Sequence, residues 1–511
     1  MIDCLLIGHN EMDFSRYEKT LHLYGEDSEI YRDLLLNFVE YKNKPYHFPG
    51  LLNEFVKDPR LDSKLRLSDI FSLTIAYLGS YLSDYEISFD YIVSFQDEME
   101  KLRRILETGQ VRLTAVTTTL YTSMQPILEI VRFIRDINPK IKIVIGGPYI
   151  YSQFKVTGRK KLSMILAQIN ADFYINENQG EQALKELAEA LRDRKPYDKI
   201  KNIAYFDHSQ LVVNAAEKES NILKEHSVNW KLFDKDISGL VATRTAISCP
   251  FSCSFCAFPQ HAGAYRPMEP VDVEREFHHL NQQKNIRSVS IIDDTFNVPL
   301  NRFKEILKMK INNGYSFRWN AYLRCQYLDE EAASLMKQSG CEGVFLGIES
   351  ANQVVLDAMN KQVSVQDLEC GLSLLKKYEI MTFASFIFGF PEETGDSIND
   401  TCDFIRRMSP DFYRTQLWYY DPLTPVHRMK DYYQLSGSGF CWDHKTMDSK
   451  TAMDNVEKAF LDIRGPVWLT QYNFDFLGVI NMLNKGFTLK EIKRFLRIFN
   501  ARITRRMKGQ R

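Results

Sequence analysis

Two long stretches of this chain repeat a short apolar run followed by an amphipathic segment. No other feature restricts the fold as much, because strands joined by helical crossovers have to lie side by side in a parallel sheet with helices over its faces. In the first stretch the apolar runs are 3–7, 87–94, 111–117, 141–145 and 172–175, and helical patterns fall at 95–107, 124–137 and 180–191. This predicts a doubly wound α/β domain, closed by a hairpin over 201–214 that turns at Asp207-His208-Ser209. Residues 17–82 are mostly helical by pattern and read as an insertion of unassigned role. After a charged stretch at 215–236 the alternation restarts at Leu240 and runs through 288–292, 317–322, 343–348, 382–388 and 412–417, with helical patterns at 272–283, 300–312, 330–338, 365–377 and 397–408 between them. Such a series predicts a full or partial parallel barrel whose site lies at the carboxyl ends of its strands. The predicted divisions are a Rossmann-like domain over 1–214, a linker over 215–239, a barrel over 240–429 and a mainly helical region over 430–511.

Charge and composition exclude whole classes of function. Lys plus Arg is 65 and Asp plus Glu is 66 in 511 residues, a net charge of −1, so no global field recruits nucleic acid or an anionic membrane. No run approaches the length of an apolar membrane span, and the start, Met1-Ile-Asp-Cys4, lacks a basic leader; a cytoplasmic protein is expected. One local exception is 485–511, with ten Lys and Arg against the single acid Glu491. Leu489, Ile492, Leu496, Phe499 and Ile503 recur there at helical spacing, so the segment reads as a docked helix with a basic outer face. Nine cysteines without a leader imply reduced thiols rather than a disulfide framework.

Three of those thiols stand as Cys249-Pro-Phe-Ser-Cys253-Ser-Phe-Cys256, directly after the first barrel strand. A loop this short can carry three sulfurs to different irons of a [4Fe-4S] cubane and leave the fourth iron open to chelate a substrate. A zinc site would show paired ligands, and only His261 is near. The spacing Cys-x3-Cys-x2-Cys after strand one of a βα barrel resembles the radical S-adenosylmethionine (SAM) superfamily. That resemblance implies a [4Fe-4S] cluster, SAM bound to its open iron, reductive cleavage of the sulfonium and a 5′-deoxyadenosyl radical that abstracts an unactivated hydrogen.

It also implies roles for other residues. Phe255 is similar to the aromatic beside the adenine. Asp293 and Asp294 end strand two, where the family often has an acidic pair. Arg324 follows strand three and would pair with the SAM carboxylate. Glu349 and Ser350 end strand four, matching residues that touch the methionyl or ribose part. Gly389-Phe-Pro391 resembles the adenine-side turn. Cys325 and Cys441 are candidate hydrogen-atom donors at the barrel mouth.

In the first domain, Thr118 and Thr119 in the 118–122 segment, together with Gly146, Gly147 and Pro148, resemble the edge of the cobalamin-binding domain that precedes many such barrels. Paired glycines would let the backbone stay low under a flat corrin. The Asp-x-His-x-x-Gly loop of other cobalamin binders is absent, and His9 in Gly8-His-Asn does not reproduce it, so no His ligand to cobalt is expected. The function implied is a cobalamin-dependent methyltransferase acting on an unactivated carbon or a phosphinate of a small-molecule or peptide substrate, fed by a reductant such as flavodoxin or ferredoxin. The alternatives are a cobalamin-independent peptide epimerase that quenches its radical with a thiol, and a non-catalytic sensor.

Overall fold

The computed structural model describes residues 1–61, 64–119, 121, 123–219 and 221–509. Two compact units emerge. One is Met1–Met12 with Phe71–Ile237; the other is Asp13–Ile70 with Ser238–Arg511.

In the first unit, Ile2–His9 lies between Phe89–Ser94 and Val111–Thr117, followed outward by Lys142–Gly146 and Phe173–Ile175. These five strands are parallel and take the order 2-1-3-4-5. That order reverses beside the first strand, and in open α/β sheets the crevice at such a point, beyond the carboxyl ends of the strands, is where ligands bind. The strands Ile203–Asp207 and Gln210–Val213 complete the sheet as an antiparallel hairpin, with His208 and Ser209 at φ 42° and 70°, the left-handed pair of a two-residue turn. Two helices that the sequence reading passed over, Pro148–Val156 and Arg159–Ile169, form the crossover between the fourth and fifth parallel strands. The charged segment expected to be a linker is packed instead. Trp230 and Phe233 are buried, Phe233 among Phe71, Phe89 and Tyr91, and Tyr91 Oη donates to Asp236 at 2.5 Å.

The second unit is built on seven parallel strands in sequential order: Leu240–Thr243, Ser288–Ile291, Arg318–Leu323, Cys341–Glu349, Met381–Phe388, Phe412–Leu417 and the short Val467–Trp468. A singly wound series with helices on one face is a partial barrel; its first and last strands do not pair. Phe386 packs on Phe404 of the Gly395–Met408 helix, and Thr243 donates to Glu276 of the Pro270–Gln282 helix, so the opposite face is the inner one. Asp13–Ile70, expected to belong with the first domain, is part of this unit. Buried Arg414 of the sixth strand pairs with Asp33 at 2.7 Å and lies over Trp468, and Ser449 donates to Glu29. Beyond residue 430 the region is mainly helical, as expected, but holds a small antiparallel sheet of Ser436–Ser438, Cys441–His444 and Met447–Asp448. The basic helix Leu489–Met507 buries Ile492, Leu496, Phe499 and Ile503.

Candidate functional site

The loop that carries the three cysteines is pinned at its base by a two-residue ribbon, Ala246–Ile247 against Arg266–Pro267. Ser248 turns it at φ 67° and donates to Gly263 O at 2.7 Å. Neighbouring loops of the same unit hold its far side: Ser254 N donates to Met359 O, Asn360 Nδ2 to Ser252 O, and Val426 N to Ser254 O. Cys249, Cys253 and Cys256 then gather with Phe251, Phe255, Val298 and Tyr327. Burial pushes the Cys256 thiol up to about 11, helped by Cys253, Asp294 and Cys249 against a backbone hydrogen bond from Phe258. Among the described residues no group of three His, Cys, Asp or Glu converges on a single metal ion. Three thiols that each take a different iron do not converge on one point, so this donor set fits a cubane better than a mononuclear site.

The other strand ends divide into groups that line the mouth and groups that hold the frame. Asp293, expected at the cofactor, belongs to the frame: it is buried, accepts from Thr245 N at 2.6 Å, Thr245 Oγ1 at 2.5 Å and Ala246 N at 3.0 Å, and faces the Arg302 charge. Asp294 is exposed and acts on both Cys256 and Tyr322. Although its side chain reaches solvent, partial burial, with Asp293 adding to the effect, pushes the carboxyl up to about 7.

Glu349 sits at a bulge with φ 69°, and its Oε1 accepts from Lys361 Nζ at 3.0 Å, both side chains buried. A Cβ at Gly347 would come within 2.5 Å of that carboxylate, so a larger residue there would displace Glu349. Ser350 is fully buried against Thr401 and accepts from Asn352 N, a loop-fixing role. Lys361 also lies 5.5 Å from the Phe255 ring. Sequence reasoning missed it; it stands in a loop between Asn360 and Gln362, both at positive φ, with no pattern in the sequence to mark it.

Arg324 departs from its expected role. Its Nη2 lies 2.9 Å from Cys253 Sγ, its Nη1 donates to Lys361 O at 2.9 Å, and the guanidinium stacks 3.6 Å over Phe251. The fork expected to take a carboxylate is already engaged by the cysteine loop. Gly389, at φ 90°, also differs: a Cβ there would meet Trp442 at 2.4 Å and Ala452 at 2.7 Å, so its open side packs protein. Gly389 N donates to buried Glu393, and its carbonyl faces His444 Nε2 at 3.0 Å. Phe390 then rests edge-on against Phe255 and Trp418.

Neither candidate thiol donor faces the mouth. Cys325 is buried against Gly371, where a Cβ would touch it at 2.7 Å, and burial pushes its thiol up to about 12. Cys441 is exposed on the small sheet, alternating with Trp442 and His444, which point inward.

In the first unit, Thr118 is buried, and its Oγ1 and N both bond to Gly146 O, at 2.8 and 2.9 Å. Gly147, at φ 105°, caps the helix that Pro148 starts, and a Cβ there would strike Thr118 Oγ1 at 2.9 Å. The glycine is therefore required by Thr118 as well as by its backbone angle. Thr119 is exposed and bonds Thr117 and Thr74; Leu120 and Thr122 of the expected segment lie outside the described residues. At the switch point Asn10 N donates to Tyr121 Oη at 2.8 Å, and burial lowers the His9 imidazole to about 4. His9 Nδ1 and Asn176 Oδ1, at strand ends on this edge, are buried without a hydrogen-bond partner.

With that geometry in hand, residues 245–405 match the radical SAM superfamily. That segment is a radical SAM domain, and the chain is an enzyme. It is 25% identical over 346 residues to an uncharacterized methyltransferase of Pyrococcus horikoshii, covering 64% of this chain and 72% of that protein. It is 26% identical over 329 residues to the anaerobic magnesium-protoporphyrin IX monomethyl ester cyclase of Rubrivivax gelatinosus, covering 62% and 57%. A bacteriochlorophyllide d C-12(1)-methyltransferase of Chlorobaculum tepidum is 34% identical over 203 residues, 39% of this chain and 44% of that one. The chain thus spans about half the length of these last two relatives. Among solved structures, the radical SAM methyltransferase TsrM of Kitasatospora setae, with cobalamin and a [4Fe-4S] cluster bound, superposes with a TM-score of 0.58 at 19% identity, covering 70% of this chain and 74% of that one. The cobalamin-dependent radical SAM enzyme OxsB gives 0.55 at 17%, covering 66% and 49%. At these identities the likeness is one of fold. No helix among the described residues is long and apolar enough to cross a membrane.

Proposed function

We propose that the protein is a cobalamin-dependent radical SAM methyltransferase acting on an unactivated carbon or a phosphinate of a natural-product or peptide substrate, with electrons from a protein such as flavodoxin or ferredoxin. The observation that carries this reading is the three-thiol loop, fixed on three sides at the strand ends of a partial barrel, in a chain that also has a 2-1-3-4-5 sheet. When bound, the cluster and SAM supply one-electron reductive chemistry and cobalamin supplies a methyl group.

This chain's residues do the rest. Cys249, Cys253 and Cys256 would hold the cluster, and the Arg324 guanidinium orients Cys253 through its N–H···S contact. Asp294 and the Glu349–Lys361 pair offer polar groups at the mouth, while Phe255 and Phe390 give it an apolar wall that keeps water out. In the first unit the Thr118–Gly146 tie keeps two loops low, and the unpartnered His9 Nδ1 and Asn176 Oδ1 suit the amide-bearing rim of a corrin. The thiol-quenched epimerase reading is less well supported, because Cys325 is packed into the helical layer and Cys441 lies on the outer side of its strand.

The test is reconstitution with hydroxocobalamin, iron and sulfide, followed by reaction with SAM, a low-potential reductant and candidate natural-product or peptide substrates. Corrin absorbance should travel with the protein through gel filtration, and the product should gain the mass of one methyl group. A protein that keeps no corrin and returns its substrate at unchanged mass in H2O and one mass unit heavier in D2O would overturn the assignment in favour of the epimerase.

A further inference from the structure

Accessibility alternates residue by residue on the inner face of the second sheet. Ile292, Tyr322, Phe345, Gly347, Ile387 and Gln416 reach solvent partly or fully, and the residues on either side of each are buried. An accessible inner face means a hollow between the strands rather than a filled core. One end of it is closed: Tyr322 is in register with Phe345 and Phe345 with Phe383, and Phe476 lies against all three with ring centroids 6.3 to 6.5 Å away. Tyr322 and Phe345 approach to 4.9 Å, leaving a broad aromatic floor. On the wall, Gln416 Nε2 donates to Ser385 Oγ at 3.0 Å, which leaves the amide oxygen to accept from a ligand.

The charges around this hollow are unequal. Its cations are buried or partnered. Arg414, in register with Ser385 on the same face, pairs with Asp33 through Nη2, and its Nε and Nη1, without hydrogen-bond partners, are fully buried and out of reach of the hollow; Lys361 is held by Glu349; Arg324 is held by Cys253 and Lys361 O; and Arg244 is partnered. Asp294, two residues beyond Ile292 and close enough to Tyr322 to act on it, is exposed, and the charged group that acts on it is another acid, Asp293. An anion drawn out of water needs a cation or several donors to replace its hydration, whereas an apolar ring needs only apolar area to cover it.

We infer that this hollow is the substrate site and that it takes a flat, apolar, ring-bearing molecule, uncharged or carrying an ammonium group, and rejects anions. On the methyltransferase reading, on which only this last step rests, the methyl acceptor is then a carbon and the phosphinate is excluded.

Calorimetric titration of the full chain with 1-naphthylmethylamine, 1-naphthylmethanol, 1-naphthoate and dimethylphosphinate tests the inference. The amine and the alcohol should bind, naphthoate at least tenfold more weakly, and dimethylphosphinate not at all. Asp294→Asn, a change of charge without change of size, should weaken the amine at least fivefold and leave the alcohol within twofold, which also reports that the variant is folded. Tyr322→Ala should weaken both about tenfold. Naphthoate binding as tightly as the amine, or an amine affinity untouched by Asp294→Asn, would overturn it. Corrin retention by the same preparation reads out the methyltransferase assignment separately, so either can fail while the other stands.

Discussion

Lys361 shows how much a single buried charge decides at this site. Its ammonium group is the partner given to the Glu349 carboxylate, which a bulge and a left-handed backbone angle turn inward. Replacing it by Met should destabilise the protein by about 3 to 5 kcal/mol, the usual cost of leaving a buried charge unpaired, as read from urea unfolding. Glu393 is the opposite case. It is fully buried, one carboxylate oxygen has no partner, and burial pushes it up from 4.5 to about 8. Above about pH 4.5 the unfolded chain releases this proton while the folded chain keeps it, so stability should fall as the pH rises from about 4.5 to 8 and level off beyond. Glu393→Gln should flatten that part of the stability profile in pH-resolved urea melts; an unchanged slope would show that Glu393 is not the group responsible. Glu349 was legible in Leu346-Gly-Ile-Glu-Ser350 because strand-end acids follow an apolar run. Lys361 was not, since its pairing runs through a loop whose path no periodicity encodes.

Among the elements, the cysteine loop and the small antiparallel sheet behave differently under substitution. The triple variant Cys249→Ala, Cys253→Ala, Cys256→Ala should lose all cluster iron and sulfide, whereas Cys325→Ser should retain them, because Cys325 faces the Val365–Lys377 helix through Gly371. Iron analysis after anaerobic reconstitution distinguishes the two. Gly389 carries the consequence for the small sheet. A methyl group there meets the Trp442 ring at 2.4 Å on a backbone at φ 90°, so Gly389→Ala should cost about 1 to 3 kcal/mol and change the tryptophan emission as Trp442 is displaced. The strands of both sheets were readable because each is an apolar run between helical patterns. The Ser436–Ser438, Cys441–His444 and Met447–Asp448 strands were not, being too short and too polar to show alternation. The helix Pro148–Val156 carried a usable signal, Pro at its first position after glycine, that was read as a turn for a ligand.

In the whole molecule, the segment Asp13–Ile70 falls between two strands of the first unit yet packs with the second. Asp33 makes this testable. Its removal leaves the fully buried Arg414 guanidinium without its carboxylate, so Asp33→Ala should destabilise the second unit by about 3 kcal/mol, the low end for a broken buried pair because Asp33 keeps some contact with solvent. Emission from Trp468, 4.4 Å from that guanidinium, should follow the transition. The sequence by itself determined the α/β class, the two parallel sheets and the thiols that would hold a cluster, because strand periodicity and the cysteine spacing are local and survive any packing. The tertiary structure alone decided which strand-end charges are engaged and which remain available, that Arg324 serves Cys253, that Gly147 and Gly389 make room for Thr118 and Trp442, and which unit residues 13–70 join. Each of those depends on side chains brought together from tens to hundreds of positions apart, where burial and unpaired charge, rather than any repeat along the chain, set the energy.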